Sequence, residues 1–161
     1  MLALTRKTDY ALIALVHMAQ DPEGCCSARE IATRYRVPLP LLMNILKLLT
    51  RRGLAKSARG PRGGYTLAVP AGEISLYDVI GAVEGPVQLV QCVEYKPRQA
   101  PDDPLKVLGC DLVTVCPVHS PIQAIHGKLV EFLSGVTLAD VVAPGGCCKS
   151  AGQLAQSPLG A

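Results

Sequence analysis

Near residue 53 the hydrophobic period of this chain changes, and that change constrains its fold more than any other feature. Before it, Leu42, Ile45, Leu46 and Leu49 recur at helical spacing on a segment running to about Arg52, with Gly53 placed to cap it. After it the period is that of a strand. Leu54-Ala55-Lys56-Ser57 suits one strand, and Arg59-Gly60-Pro61-Arg62-Gly63-Gly64 is turn chemistry. Tyr65, Leu67 and Val69 then alternate as a second strand that Pro70 ends.

Two further helical segments precede this hairpin. Residues 5–20 carry Ala11, Leu12, Leu15, Val16 and Ala19 on one side, and Asp21-Pro22-Glu23-Gly24 breaks the pattern. Ser27-Ala28-Arg29-Glu30 reads as a capping box that opens a short second helix, with Ile31 and Ala32 inward. Val37-Pro38-Leu39-Pro40 makes a turn before the third helix, and Ser75 opens another short helix over 75–84 after the hairpin. Helix, capped short helix, turn, helix, hairpin, helix is the order of a winged helix-turn-helix. The expected fold class is therefore mainly α with a small β-hairpin wing.

The remainder is organised differently. Residues 85–120 hold five prolines, three cysteines and little periodicity, which reads as a long functional loop. Ser120-Pro121 then suits a helix start, with Ile122, Ile125, Leu129 and Phe132 as a stripe ending at Gly135, and Thr137 caps a last turn through Val142. The expected organisation is a DNA-binding domain at 1–84, a cysteine-bearing loop at 85–120, a long C-terminal dimerisation helix and short terminal helix at 121–143, and a disordered Gly/Pro/Ser/Ala tail at 144–161.

Charge separates the halves. Residues 1–70 hold 11 Lys/Arg against four Asp/Glu, a net of +7, whereas residues 71–161 hold five against nine, a net of −4. A basic first half points to DNA, and the zero Trp and single Phe argue against stacking on single strands. No apolar run is long enough to span a bilayer and no signal-peptide pattern is present, so a cytoplasmic location without a membrane partner is expected. No phosphate loop or nucleophile–base arrangement suggests an enzyme.

On the third helix, Pro40, Asn44, Lys47 and Arg51 lie opposite the apolar stripe at spacings of four, three and four. Asn suits adenine edges, and Lys or Arg suits guanine or phosphate. Arg59 and Arg62 in the wing lie among glycines, including Gly63 and Gly64, that let the backbone approach phosphates closely. Ser27, at the start of the second helix, completes the candidate contacts to a double-stranded DNA operator.

Seven cysteines in a chain expected in a reducing compartment point to metal or redox use rather than disulfides. Cys92, Cys110, Cys116 and His119 follow a Cys-x17-Cys-x5-Cys-x2-His spacing. Thiolates and imidazole are ligands for iron–sulfur clusters or zinc, and a loop lets several converge on one point. A structural zinc in a closed site and a metal-free thiol switch are the competing readings. Cys25-Cys26 reads as structural or incidental, and Cys147-Cys148 as incidental or a thiol liability. His17 reads as a satisfied core or interface histidine and His126 as interfacial, while Asp9, near the start of the first helix, could reach a partner subunit's cluster.

Four stretches carry a family resemblance: Leu4-Thr5-Arg6-Lys7-Thr8-Asp9-Tyr10-Ala11-Leu12, Arg59-Gly60-Pro61-Arg62-Gly63-Gly64-Tyr65, Ile74-Ser75-Leu76-Tyr77-Asp78-Val79-Ile80 and Gly135-Val136-Thr137-Leu138-Ala139-Asp140. With the Cys-x5-Cys pair and an upstream Cys, the chain resembles the Rrf-two (Rrf2) family of winged-helix transcription regulators, of the IscR, NsrR and RirA type, over about residues 2–143. The resemblance implies a homodimer whose long C-terminal helix crosses to the partner. It also implies a [2Fe–2S] or [4Fe–4S] cluster on the three loop cysteines and a variable fourth ligand. His119 matches the ligand histidine of IscR-type members, and Asp9 the acidic ligand of NsrR-type members. Members sense iron–sulfur status, iron, nitric oxide or redox state, so control of iron–sulfur assembly or iron-homeostasis genes, as a repressor, is expected.

Overall fold

The structure is a computed structural model that describes residues 4–21, 25–60, 63–90 and 115–143. Its elements run α1 (Arg6–Gln20), α2 (Ala28–Tyr35), α3 (Leu39–Arg51), β1 (Ala55–Ala58), β2 (Gly64–Leu67), a 3-10 turn (Ala71–Glu73), α4 (Leu76–Val83), α5 (His119–Gly135) and α6 (Leu138–Val142). This is the expected order of a winged helix-turn-helix followed by a long helix.

α3 forms where its apolar residues recur at three and four, and Leu42, Ile45, Leu46 and Leu49 are all buried. Each such side chain removed from water contributes roughly 1.5–3 kcal/mol, so this stripe fixes the helix in the core. α1 presents Ala11, Ala14, Leu15 and Met18 to the same core, and α2 adds Ile31 and Ala32. Arg36 ends α2 in the left-handed region at φ 54° and its amide donates to the Ala32 carbonyl. Pro38 and Leu39 then open α3, which takes Pro40 into its first turn, where the missing N–H costs nothing. At the other end Gly53, at φ 72°, turns the chain out of α3 and into the wing.

β1 and β2 pair antiparallel, with Ala55 opposite Leu67 and Ala58 opposite Gly64. Tyr65, Leu67 and Val69 all pack against the core, as their alternation predicts, although β2 ends at Leu67. The wing has a third attachment. Cys26 and Tyr65 form an isolated bridge, the Cys26 amide donating to Tyr65 at 3.0 Å and the Tyr65 amide to Cys26 at 2.9 Å. Cys26 is also a buried core residue, which settles its structural role.

α4 and α6 begin side by side. The Leu76 amide donates to the Val136 carbonyl at 2.9 Å, and the Leu138 amide to Ile74 at 2.8 Å. Each helix has a reciprocal capping box, Ser75 with Asp78 and Thr137 with Asp140. At α2 only half of the expected box forms. The Ser27 hydroxyl accepts from the Glu30 amide at 3.0 Å, while the Glu30 carboxylate lies 3.9 Å from His17 Nε2.

The long helix departs from expectation at its start. α5 begins at His119 with Val118 as N-cap, not at Ser120-Pro121, so the unit expected at 121–143 starts two residues earlier. Proline is tolerated anywhere in a first turn, because those amides have no partner within the helix, so Pro121 marks the turn without marking its first residue. α5 packs on α4: Leu133, with Leu129 and Val130, meets Tyr77, Ile80 and Val87 in a second small core.

Candidate functional site

Of the expected DNA contacts, Pro40, Asn44, Lys47, Arg51 and Arg59 are solvent-exposed. The first four form a single stripe on α3 opposite its buried face. Lys47 and Arg51 are cationic, and Asn44 offers both a donor and an acceptor. Ser27 is half-buried, its hydroxyl oxygen engaged as the cap of α2. Arg62 lies outside the described residues.

The wing glycines have a steric reason beyond any ligand. A Cβ on Gly63 would stand 2.4 Å from the Ala58 carbonyl oxygen, and one on Gly64 would stand 2.5 Å from the Cys26 oxygen and 2.8 Å from its carbonyl carbon. The Gly63 amide donates to the Gly60 carbonyl at 2.9 Å and closes the hairpin. Gly60 sits at φ 126°, a conformation that L side chains rarely adopt. The wing therefore presents Arg59 from a turn whose shape the glycines set.

Of the cysteine constellation, Cys92 and Cys110 lie outside the described residues, as do Cys147 and Cys148. Cys116 and His119 are described, both half-buried, and the structure places them on one turn at the head of α5. The His119 amide donates to the Cys116 carbonyl at 3.4 Å, which keeps the thiol and the imidazole within three residues on a fixed backbone. That donor pair, sulfur and aromatic nitrogen, fits an iron–sulfur cluster or zinc. Asp9 is exposed in the first turn of α1.

The other titratable groups are accounted for differently. Burial, and then the Glu30, Asp21 and Cys25 charges, push the Cys26 thiol up, so it is a poor nucleophile and a poor metal ligand. His17 is a satisfied core histidine, its Nδ1 3.2 Å from the Tyr35 hydroxyl. His126, expected at an interface, is instead buried within the chain, where burial alone pushes its pKa down and Nδ1 has no hydrogen-bond partner.

Sequence reading missed one network. The Thr5 and Thr8 hydroxyls both donate to Glu84 Oε1, Thr8 at 2.9 Å, and so tie the first turn of α1 to the end of α4. Thr5 as the N-cap of α1 was visible in principle, but nothing local points to a carboxylate more than seventy residues away.

Residues 4–144 match the Rrf2 family, described as an iron-dependent transcriptional regulator. The chain belongs to the Rrf2 family. The HTH-type transcriptional regulator IscR of Cronobacter sakazakii is 31% identical over 140 residues, spanning 86% of this chain and 79% of that protein. Protein aau3 of Rhizobium meliloti is 33% identical over 139 residues, spanning 86% of this chain and 84% of that one. Among solved structures, CymR, the global cysteine regulator of B. subtilis, superposes with a TM-score of 0.64 at 26% identity, over 88% of this chain and 97% of that one. T. potens IscR superposes with a TM-score of 0.60 at 25% identity, over 99% and 94%. This Rrf2 protein is thus a DNA-binding transcriptional regulator rather than an enzyme, and no helix among its described residues is long and apolar enough to cross a membrane.

Proposed function

We propose that this Rrf2 protein is an iron–sulfur-dependent regulator that binds a double-stranded operator as a homodimer and controls iron–sulfur assembly or iron-homeostasis genes. The observation that carries the sensing part is the Cys116–His119 turn at the head of α5, which offers a thiol sulfur and an imidazole from one short stretch. Cys92, Cys110 and Cys116 would hold the cluster, with His119 or Asp9 of the partner subunit as fourth ligand. A cluster there supplies a centre that iron supply, nitric oxide or oxidation can build or remove. Cys116→Ala is expected to abolish the visible absorbance of anaerobically purified protein and to shift operator affinity, while Cys26→Ala leaves the absorbance intact. A colourless wild-type protein would favour a structural zinc or a metal-free thiol switch, and equal operator affinities for holo wild type and Cys116→Ala would exclude sensing through this site.

On the DNA side, Asn44 and Lys47 would read bases, while Arg51, Arg59 and Arg62, with the Ser27 and Gly63-Gly64 backbone regions, would meet phosphates. Arg59→Ala is expected to weaken all duplexes alike and to reduce the salt slope of binding by about one unit, since one fewer phosphate is neutralised. A changed sequence preference with an unchanged slope would contradict the assignment.

A further inference from the structure

Glu84 is the C-cap of α4, and a carboxylate at a helix C-terminus opposes that helix's dipole. Its partners explain the placement. Both hydroxyls that donate to it, from Thr5 and Thr8, belong to the first turn of α1, where a negative charge is favourable. Thr8 is fully buried, and the Thr5 oxygen also accepts from the Lys7 amide to cap α1. Burial pushes the Glu84 carboxyl up, but the Thr5 and Thr8 hydrogen bonds and the Lys7 charge outweigh it and leave its pKa below the ordinary value, so it is ionised near neutral pH.

The position of this clamp gives it a reach beyond local stability. Directly after Glu84 the chain turns at Gly85, at φ 87°, and Val87 enters the small core that α5 shares with α4. α5 begins at the Cys116–His119 turn. α1 in turn packs against α3 and β2, the elements that carry the exposed basic stripe and the wing. We infer that Glu84, held by the Thr5 and Thr8 hydroxyls, is the positioning residue that carries a change at the Cys116–His119 turn through the α4–α5 layer into α1 and on to α3, the recognition helix of the proposed DNA contact. The inference rests on the sensing reading above. The turn is continuous with α5, α5 packs on α4, and the clamp is a side-chain joint between α4 and α1 that can be cut without emptying the core.

The test compares operator affinity of the full chain, metal-free and anaerobically reconstituted, for wild type, Glu84→Ala, Glu84→Gln and Thr8→Val. Coupling is the ratio of the two affinities, and a residue of purely structural importance would lower both without changing the ratio. In Glu84→Ala and Thr8→Val the ratio is expected to fall to within about twofold of one, with Glu84→Gln keeping part of it because its amide oxygen still accepts. In the metal-free protein, amide exchange from Thr8 to Leu12 is expected to quicken about tenfold in Glu84→Ala, with Leu42 to Leu49 unchanged. Should Glu84→Ala fail to fold, Thr8→Val, which keeps the buried volume, decides the matter. Variants that keep the wild-type ratio overturn the inference alone. A wild-type ratio of one overturns the sensing reading, and with no signal to carry the inference falls with it.

Discussion

Replacing Gly64 with alanine is expected to unseat the wing and to cost the protein both stability and operator affinity, without altering α3. The new Cβ would stand 2.5 Å from the Cys26 oxygen and 2.8 Å from the Cys26 carbonyl carbon. Both are backbone atoms, and neither can swing away as the tip of a side chain could. They are also pinned by the two amide hydrogen bonds between Cys26 and Tyr65, at 3.0 and 2.9 Å, and by burial of the Cys26 side chain in the core. Relief therefore requires parting β2 from the loop before α2. Overpacking of this kind costs roughly 1–3 kcal/mol, and each broken backbone pair adds to it. A melting temperature lower by roughly 2–4 °C per kcal/mol is expected. Operator affinity is expected to fall by at least about tenfold, because each 1.4 kcal/mol lost in seating the wing is a factor of ten. Gly72→Ala is the matched control: a Cβ there meets nothing within 4 Å, and the change is expected to stay within about 0.5 kcal/mol. Thermal unfolding and fluorescence-anisotropy titrations of the two variants measure both effects, and a Gly64→Ala protein with wild-type melting and wild-type affinity would contradict the role given to the bridge.

The parts of the fold that were legible are those governed by period and by local hydrogen bonds. Leu42, Ile45, Leu46 and Leu49 placed α3, and the alternation of Tyr65, Leu67 and Val69 placed the wing, because each pattern is repeated enough to have one solution. The exposed stripe of Pro40, Asn44, Lys47 and Arg51 followed as the complement of the buried face. What was not legible depends on distance along the chain. The Glu84 clamp spans α1 and α4, and the Cys26–Tyr65 bridge joins a loop to a strand; neither leaves a mark within one window. The wing glycines illustrate a different limit. The sequence suggests that something comes close to them, and at Gly64 that something is the chain's own backbone. His126 was misplaced because a helix position alone does not reveal which side is covered: it lies three, four and seven residues before Leu129, Val130 and Leu133, the side of α5 that packs on α4.

The second large effect is expected at the face of α5 that α4 leaves uncovered. Leu133 is buried against α4, whereas Ile125 and Phe132 remain 54% and 46% exposed, and Val118, at the same seven-residue spacing, is 57% exposed. Residues seven apart fall on one side of a helix, so these three form one apolar line on the outer side of the molecule. A second copy of the same helix fits such a line, because a two-fold axis sets each residue of one copy against the matching stretch of the other. It also supplies the two recognition helices that half-sites one DNA turn apart require. Burying an apolar side chain of this size contributes roughly 1.5–3 kcal/mol, and two-fold symmetry counts each substitution twice. Ile125→Glu combined with Phe132→Glu removes that contribution and brings four carboxylates together near the axis. Dimer dissociation is expected to rise by at least about a thousandfold, given tenfold for each 1.4 kcal/mol. Sedimentation at micromolar concentration should show a dimer for the wild type and a monomer for the double variant, whose far-ultraviolet circular dichroism stays helical because the α4-facing Leu129, Val130 and Leu133 are untouched. The monomer should then bind an isolated half-site nearly as well as one wild-type subunit does, and lose its advantage on the full operator. A double variant that still sediments as a dimer would place the interface on another face of the molecule, and a wild-type monomer would overturn the dimer itself.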